Sequence, residues 1–103
     1  MVERLAFDAI VVEEDVEFTL ADLCRACGTD AAQVFELVHE GVLDPAGKEP
    51  QEWVFKGPAL RTTRTALRLA TDLELGIAGA ALVIELLREV EALRSRLRRA
   101  GIG

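Results

Sequence analysis

The chain has 103 residues, half of them hydrophobic and 29% charged, with a formal net charge of −6. That length holds one small packed domain and excludes a large multidomain enzyme. The longest apolar run, residues 75–84 with its two glycines counted, is ten residues, against the roughly 20 that a bilayer span requires, so no transmembrane helix is expected. Glu3 and Asp8 lie around Arg4 with no small-residue cleavage pattern behind them, which is not the layout of a secretory signal, and the cytoplasm is the expected compartment.

Charge is divided unevenly. Up to Leu60 there are four Lys or Arg against thirteen Asp or Glu, and beyond it eight Arg against five Asp or Glu, so the halves carry −9 and +3. An acidic front points to a basic partner.

In chain order, Ala9, Ile10, Val11 and Val12 form the most strand-like run, and Val16 and Phe18 alternate with charges, which predicts one or two short strands. Thr19 stands where an N-cap belongs, with Asp22 at the third helical position, and a helix is expected over 20–26. Gly28 stops it in the left-handed conformation that glycine adopts without penalty. Ala31, Val34, Phe35 and Val38 follow helical spacing over 31–40, closed by Gly41, so the two helices make a helix-turn-helix. Pro45, Gly47 and Pro50 lie between Val42 and Leu43 on one side and Trp53, Val54 and Phe55 on the other, the composition of a β-hairpin wing. Pro58 suits the first position of a third helix that runs towards Leu75 and Gly76, and a last helix is expected over 78–99, ending before Gly101.

Resources for catalysis are sparse. There is one histidine, His39, no tyrosine, and two cysteines, Cys24 and Cys27. No nucleophile, base and oxyanion donor can be grouped from these residues, so an enzyme is not expected. The cysteines match C-x-x-C, but half of a tetrahedral zinc site is missing and both thiols fall beside Leu20 and Leu23, which favours core packing over a metal or redox role. No metal and no cofactor are expected. His39, between Val38 and Glu40, reads as a surface histidine, and the acidic residues Glu13, Glu14, Asp15 and Glu17 read as a solvated or partner-facing segment, without the loop of a calcium site.

A helix-turn-helix invites a DNA reading, in which the second helix sets basic or amide side chains against base edges. Here that helix offers Gln33 alone, and Asp30, Glu36 and Glu40 repel phosphates, so nucleic acid is not the expected partner of this face. Arg61, Arg64 and Arg68 form a basic stripe on the third helix, which a solvated face or pairing with the acidic half also explains. The terminal helix carries Val83, Leu86, Val90, Leu93 and Leu97 at heptad spacing. That seam fits a homodimer, parallel or antiparallel, and it could instead pack on the chain's own third helix.

The order strand, helix, glycine turn, helix, wing and long terminal helix resembles the MerR-like winged helix-turn-helix group. Within that group, Leu23, Cys24 and Gly28, the junction from Glu36 through Leu37, Val38, His39, Glu40, Gly41, Val42, Leu43 and Asp44 to Pro45, and Trp53, Val54 and Phe55 resemble the chaperone-modulator family of CbpM type. The likeness covers nearly the whole chain. It implies a mainly α fold with minor β: a winged helix-turn-helix core with the third helix over 1–76, then a terminal helix over 77–103 as the dimerisation element, in one structural domain. It also implies a regulator that binds the J domain of a DnaJ-like co-chaperone, CbpA, and prevents it from stimulating the DnaK ATPase. Since a J domain engages DnaK through a basic helix face, the residues expected to meet it are Asp30, Glu36, Glu40, Val42, Leu43 and Asp44. The alternative within the same group is a MerR-like transcriptional regulator that binds DNA. The cysteine pair and the alanine- and arginine-rich C-terminal half depart from the family pattern.

Overall fold

The computed structural model describes residues 16–101. The strand-like run at Ala9, Ile10, Val11 and Val12 and the acidic Glu13, Glu14 and Asp15 lie outside the described residues. In chain order the elements are β1 (Glu17–Thr19), α1 (Leu20–Cys27), α2 (Ala31–His39), a 3-10 turn (Pro50–Glu52), β2 (Val54–Lys56), α3 (Pro58–Asp72) and α4 (Gly76–Arg99). The result is the mainly helical fold with a small sheet that the sequence predicts.

Helix α1 begins with a complete capping box. Asp22 N–H donates to Thr19 Oγ1 and Thr19 N–H donates to Asp22 Oδ2, both at 3.1 Å, so an aspartate reaches where a longer glutamate usually stands. Gly28, at φ 65°, ends the helix, and Thr29 N–H returns to the Cys24 carbonyl at 3.0 Å. Asp30 then caps α2 by accepting from Gln33 N–H at 3.0 Å.

The wing differs from the hairpin expected of the sequence. Val42 and Leu43 do not form a strand: both of their N–H groups donate to the Leu37 carbonyl, at 2.9 and 3.3 Å, and so complete the end of α2. Strand β2 instead pairs antiparallel with β1, setting Phe18 opposite Phe55 and Glu17 opposite Lys56, whose ammonium meets the Glu17 carboxylate at 2.8 Å. Only Ala46 bridges Val54 from the intervening loop. At Gly47 the loop passes so close to the 3-10 turn that a Cβ would sit 2.7 Å from the Glu52 carbonyl oxygen.

The sheet, α1 and α2 share one core with α3 and the first half of α4. Leu23, Val34, Leu37 and Ala66 are wholly buried, Phe55 is 1% exposed, and Ile77, Ala81 and Ile84 join the same cluster from α4. Beyond Ile84 the helix leaves the core, and Leu86, Val90, Leu93 and Leu97 are all exposed. At about 100° per residue the heptad seam and the body-facing residues Ile77, Ala80, Ala81 and Ile84 lie roughly 150° apart around α4. The seam therefore points away from α3, and the intramolecular packing considered from sequence does not occur along it.

Two measurements follow from this packing. Thr63 is fully buried, and its hydroxyl has no hydrogen-bond partner among the described residues. Thr63→Val replaces that hydroxyl with a methyl of similar shape and is expected to stabilise the fold by about 1 kcal/mol in chemical denaturation, the lower part of the usual penalty for an unpaired buried donor. The hydrogen bonds from the Thr19 backbone and side chain, followed by the nearby Arg25, hold the Asp22 carboxyl below its ordinary range. A depressed carboxyl contributes stability above its unfolded-state pKa and loses it as pH falls through the folded one. The stability gap between wild type and Asp22→Asn is therefore expected to be largest near neutrality and to shrink below about pH 4 in pH-dependent thermal melts.

Candidate functional site

The acidic residues singled out by sequence come to the surface on α2 and its exit loop. Glu36 lies in the last turns of α2 and Glu40 caps its end four residues on, both exposed. Asp44 is exposed in the loop that follows, and Asp30 is exposed at the start of the helix while its carboxylate caps it. Val42 and Leu43 are placed differently. At 6% and 4% exposure they belong to the core, so they hold the exit loop in place and present little surface of their own.

Arg88 ties this loop to α4, a contact that no local pattern in the sequence announces. Its guanidinium donates to the Val42 carbonyl at 3.1 Å across 46 positions of sequence. Glu40 and Gly41 from the loop, with Leu82, Glu85 and Arg88 from α4, border a cleft of about 420 Å³. Exposed carboxylates flank it on both sides, Glu40 from the loop and Glu85 from α4.

Phe35 also departs from its expected place. It follows the apolar spacing of α2, yet it is 42% exposed while Val34 and Leu37 are fully buried. Its ring meets Trp53 edge to face, with centroids 5.6 Å apart at 87°, and Trp53 meets the buried Phe55 in the same manner at 5.9 Å and 85°. Three rings thus run from the core to the surface beside Glu36.

Cys24 and Cys27 are half-buried free thiols packed against the core. Burial raises both thiol pKa values, with the Asp30 charge adding to the rise at Cys24, and Cys27 Sγ lies 3.9 Å from the Leu60 carbonyl oxygen. Such thiols are poor nucleophiles at neutral pH. Among the described residues no group of three or more His, Cys, Asp or Glu is placed to hold a metal ion. His39 is exposed in the last turn of α2. On α3, Arg61 and Arg68 are exposed, while the Arg64 guanidinium donates to the Ala26 carbonyl at 3.4 Å. No helix among the described residues is long and apolar enough to cross a membrane.

Comparison with known proteins agrees with this architecture. Residues 18–100 match the family described as MerR HTH family regulatory protein. The chain is 41% identical over 80 residues to the chaperone modulatory protein CbpM of Pseudomonas entomophila strain L48, covering 78% of this chain and 79% of that protein. It is 39% identical over 80 residues to the CbpM of Pseudomonas putida strain F1, with the same coverage. To the CbpM of Coxiella burnetii strain Dugway 5J108-111 it is 28% identical over 89 residues, 86% of this chain and 84% of the relative. With the helix-turn-helix, β2 and the long α4 inside residues 18–100, and with 41% identity over 78% of the chain, the chain belongs to the CbpM family of chaperone modulatory proteins.

Proposed function

We propose that this protein is a non-enzymatic chaperone modulator that binds the J domain of a DnaJ-like co-chaperone of CbpA type and prevents that domain from stimulating DnaK. The observation that carries this reading is the exposed acidic side of α2 and its exit loop, with Asp30, Glu36, Glu40 and Asp44. A J domain meets DnaK through a basic helix face, so an acidic surface can compete for it, with complementary charge speeding encounter and setting register. The cytoplasm is the compartment this role calls for.

A second reading, a DNA-binding regulator, is favoured by the match to the MerR helix-turn-helix family. It ranks below the first because α2, the helix that would enter the major groove, exposes Ala32, Phe35, Glu36 and His39, with Glu40 exposed at its cap. None of these is an arginine or a lysine, and phosphate neutralisation supplies essentially all non-specific affinity for DNA.

The same reading includes a homodimer through the outer half of α4. Val83 is half-buried there, while Leu86, Val90, Leu93 and Leu97 form an exposed apolar stripe on a helix that has left its own core. Such a contiguous stripe is the mark of an interaction surface. Glu89 reaches Arg94 of the second copy in a parallel pair and Arg96 in an antiparallel one. Because Arg94, Arg96, Arg98 and Arg99 crowd the C-terminal end, antiparallel pairing keeps two arginine clusters apart and is the arrangement we favour.

Reversing Asp30, Glu36, Glu40 and Asp44 to Lys is expected to weaken J-domain binding, mainly by slowing association, and to relieve inhibition of J-stimulated DnaK turnover. Added salt should reproduce part of that loss in the wild type, since exposed charges more than about 8 Å apart are screened at physiological ionic strength. Unchanged affinity and inhibition in the reversed protein would move the interface elsewhere. For the dimer, Leu86→Glu with Leu93→Glu puts unpaired charge into the stripe, and sedimentation is expected to shift from dimer to monomer. A wild type that sediments as a monomer at tens of micromolar, well above an affinity of about 1 μM, would remove the dimer.

A further inference from the structure

We infer that Phe35 anchors the partner-binding surface, and that its exposed ring receives an arginine or lysine side chain of a basic protein partner. The inference rests on the proposed reading of α2 as the partner-facing helix and names the contact at its centre.

Phe35 stands apart from the other exposed large apolar residues. Among the described residues, Leu73 and Leu75 lie in the α3–α4 turn, and Leu82, Leu86, Leu87, Val90, Leu93 and Leu97 lie along α4. Between residues 16 and 72 Phe35 alone is of this kind. It is not a loose side chain at the rim. The edge-to-face contact with Trp53, itself set against buried Phe55, fixes the ring before any partner arrives, so little side-chain freedom remains to be lost on binding.

The surroundings select the chemistry of the occupant. Glu36 follows Phe35 on α2, Glu52 precedes Trp53, and Glu49 opens the 3-10 turn, all of them exposed. From Asp30 to Glu52 six acidic residues face one base, Lys48. Glu36, Glu49 and Glu52 have no ion-pair partner among the described residues. A purely apolar partner would strip water from these carboxylates without replacing it, and a nucleic acid would be repelled. A guanidinium or ammonium group on an aliphatic stem answers both features: the stem covers the apolar ring edge, the charge is drawn to the ring face, and the carboxylates neutralise it. An aromatic centre within a polar rim is also the usual form of an energetically dominant contact between proteins.

The test titrates the J domain into wild type, Phe35→Leu and Phe35→Trp by calorimetry. Leucine keeps an apolar side chain and loses the ring quadrupole, whereas tryptophan provides a stronger one. The expected result is about tenfold weaker binding for Phe35→Leu, within the range of a partly desolvated cation–π contact, with Phe35→Trp at or above wild-type affinity. Thermal melts of each variant alone establish that the half-exposed position has been changed without loss of the fold. Wild-type affinity in Phe35→Leu, in a protein whose binding is weakened by reversing the acidic residues, overturns the anchor and leaves the J-domain reading standing. Phe35→Trp binding as weakly as Phe35→Leu overturns the cationic occupant. A wild type that does not bind the J domain overturns both readings together.

Discussion

The packing of α3 against α4 is the constraint on which the rest of the molecule depends. Thr63 and Ala66 are buried on α3, and Ala80 and Ala81 on α4. Side chains of this size permit a short distance between helices. They also leave the larger residues of α4 to other work. Ile77 and Ile84 join the core cluster that also holds Leu37 and Phe55, while the leucines and valine of the heptad stripe turn outwards. One helix thereby serves two surfaces, because its body-facing and outward sides are divided around the axis.

The same division supports the acidic surface. Arg88 lies one turn past the last buried residue of α4, and its bond to the Val42 carbonyl fixes the loop after α2 to the helix that carries the stripe. Val42 and Leu43 anchor that loop from below, leaving Glu40 and Asp44 outside. The acidic groups are displayed by apolar burial beneath them, which is why their placement does not rely on ion pairs with the basic half of the chain. The exposed pairs Asp22 with Arg25 and Glu91 with Arg98 within single helices, and Glu17 with Lys56 across the sheet, are of a kind that contributes little to stability.

Tertiary burial also decided which aromatic reaches solvent. By spacing, Phe35 belongs to the apolar stripe of α2 beside Val34 and Val38. The core, however, is already filled under α2 by Leu37 and by Phe55 arriving on β2. Trp53, partly buried at the end of the 3-10 turn, takes the intervening space, so Phe35 stacks on it from outside.

Local chemistry was legible in the chain alone. Thr19 and Asp22, Gly28, Gly41 and Pro58 marked where helices begin and end, because caps and left-handed turns depend on residues within three or four positions of one another. The acidic character of α2 and its exit loop was equally visible, since charge is a property of composition. Strand pairing was not. The sequence suggested that residues 42–43 would face residues 53–55 across the short wing, but β2 pairs with β1, with Phe55 buried in the core and Phe18 opposite it partly buried against the same cluster. The exposure of Phe35 and the Arg88 tether to Val42 were likewise settled only by the assembled core. Each depends on residues far apart in sequence competing for one interior volume, and a linear pattern carries no measure of that volume.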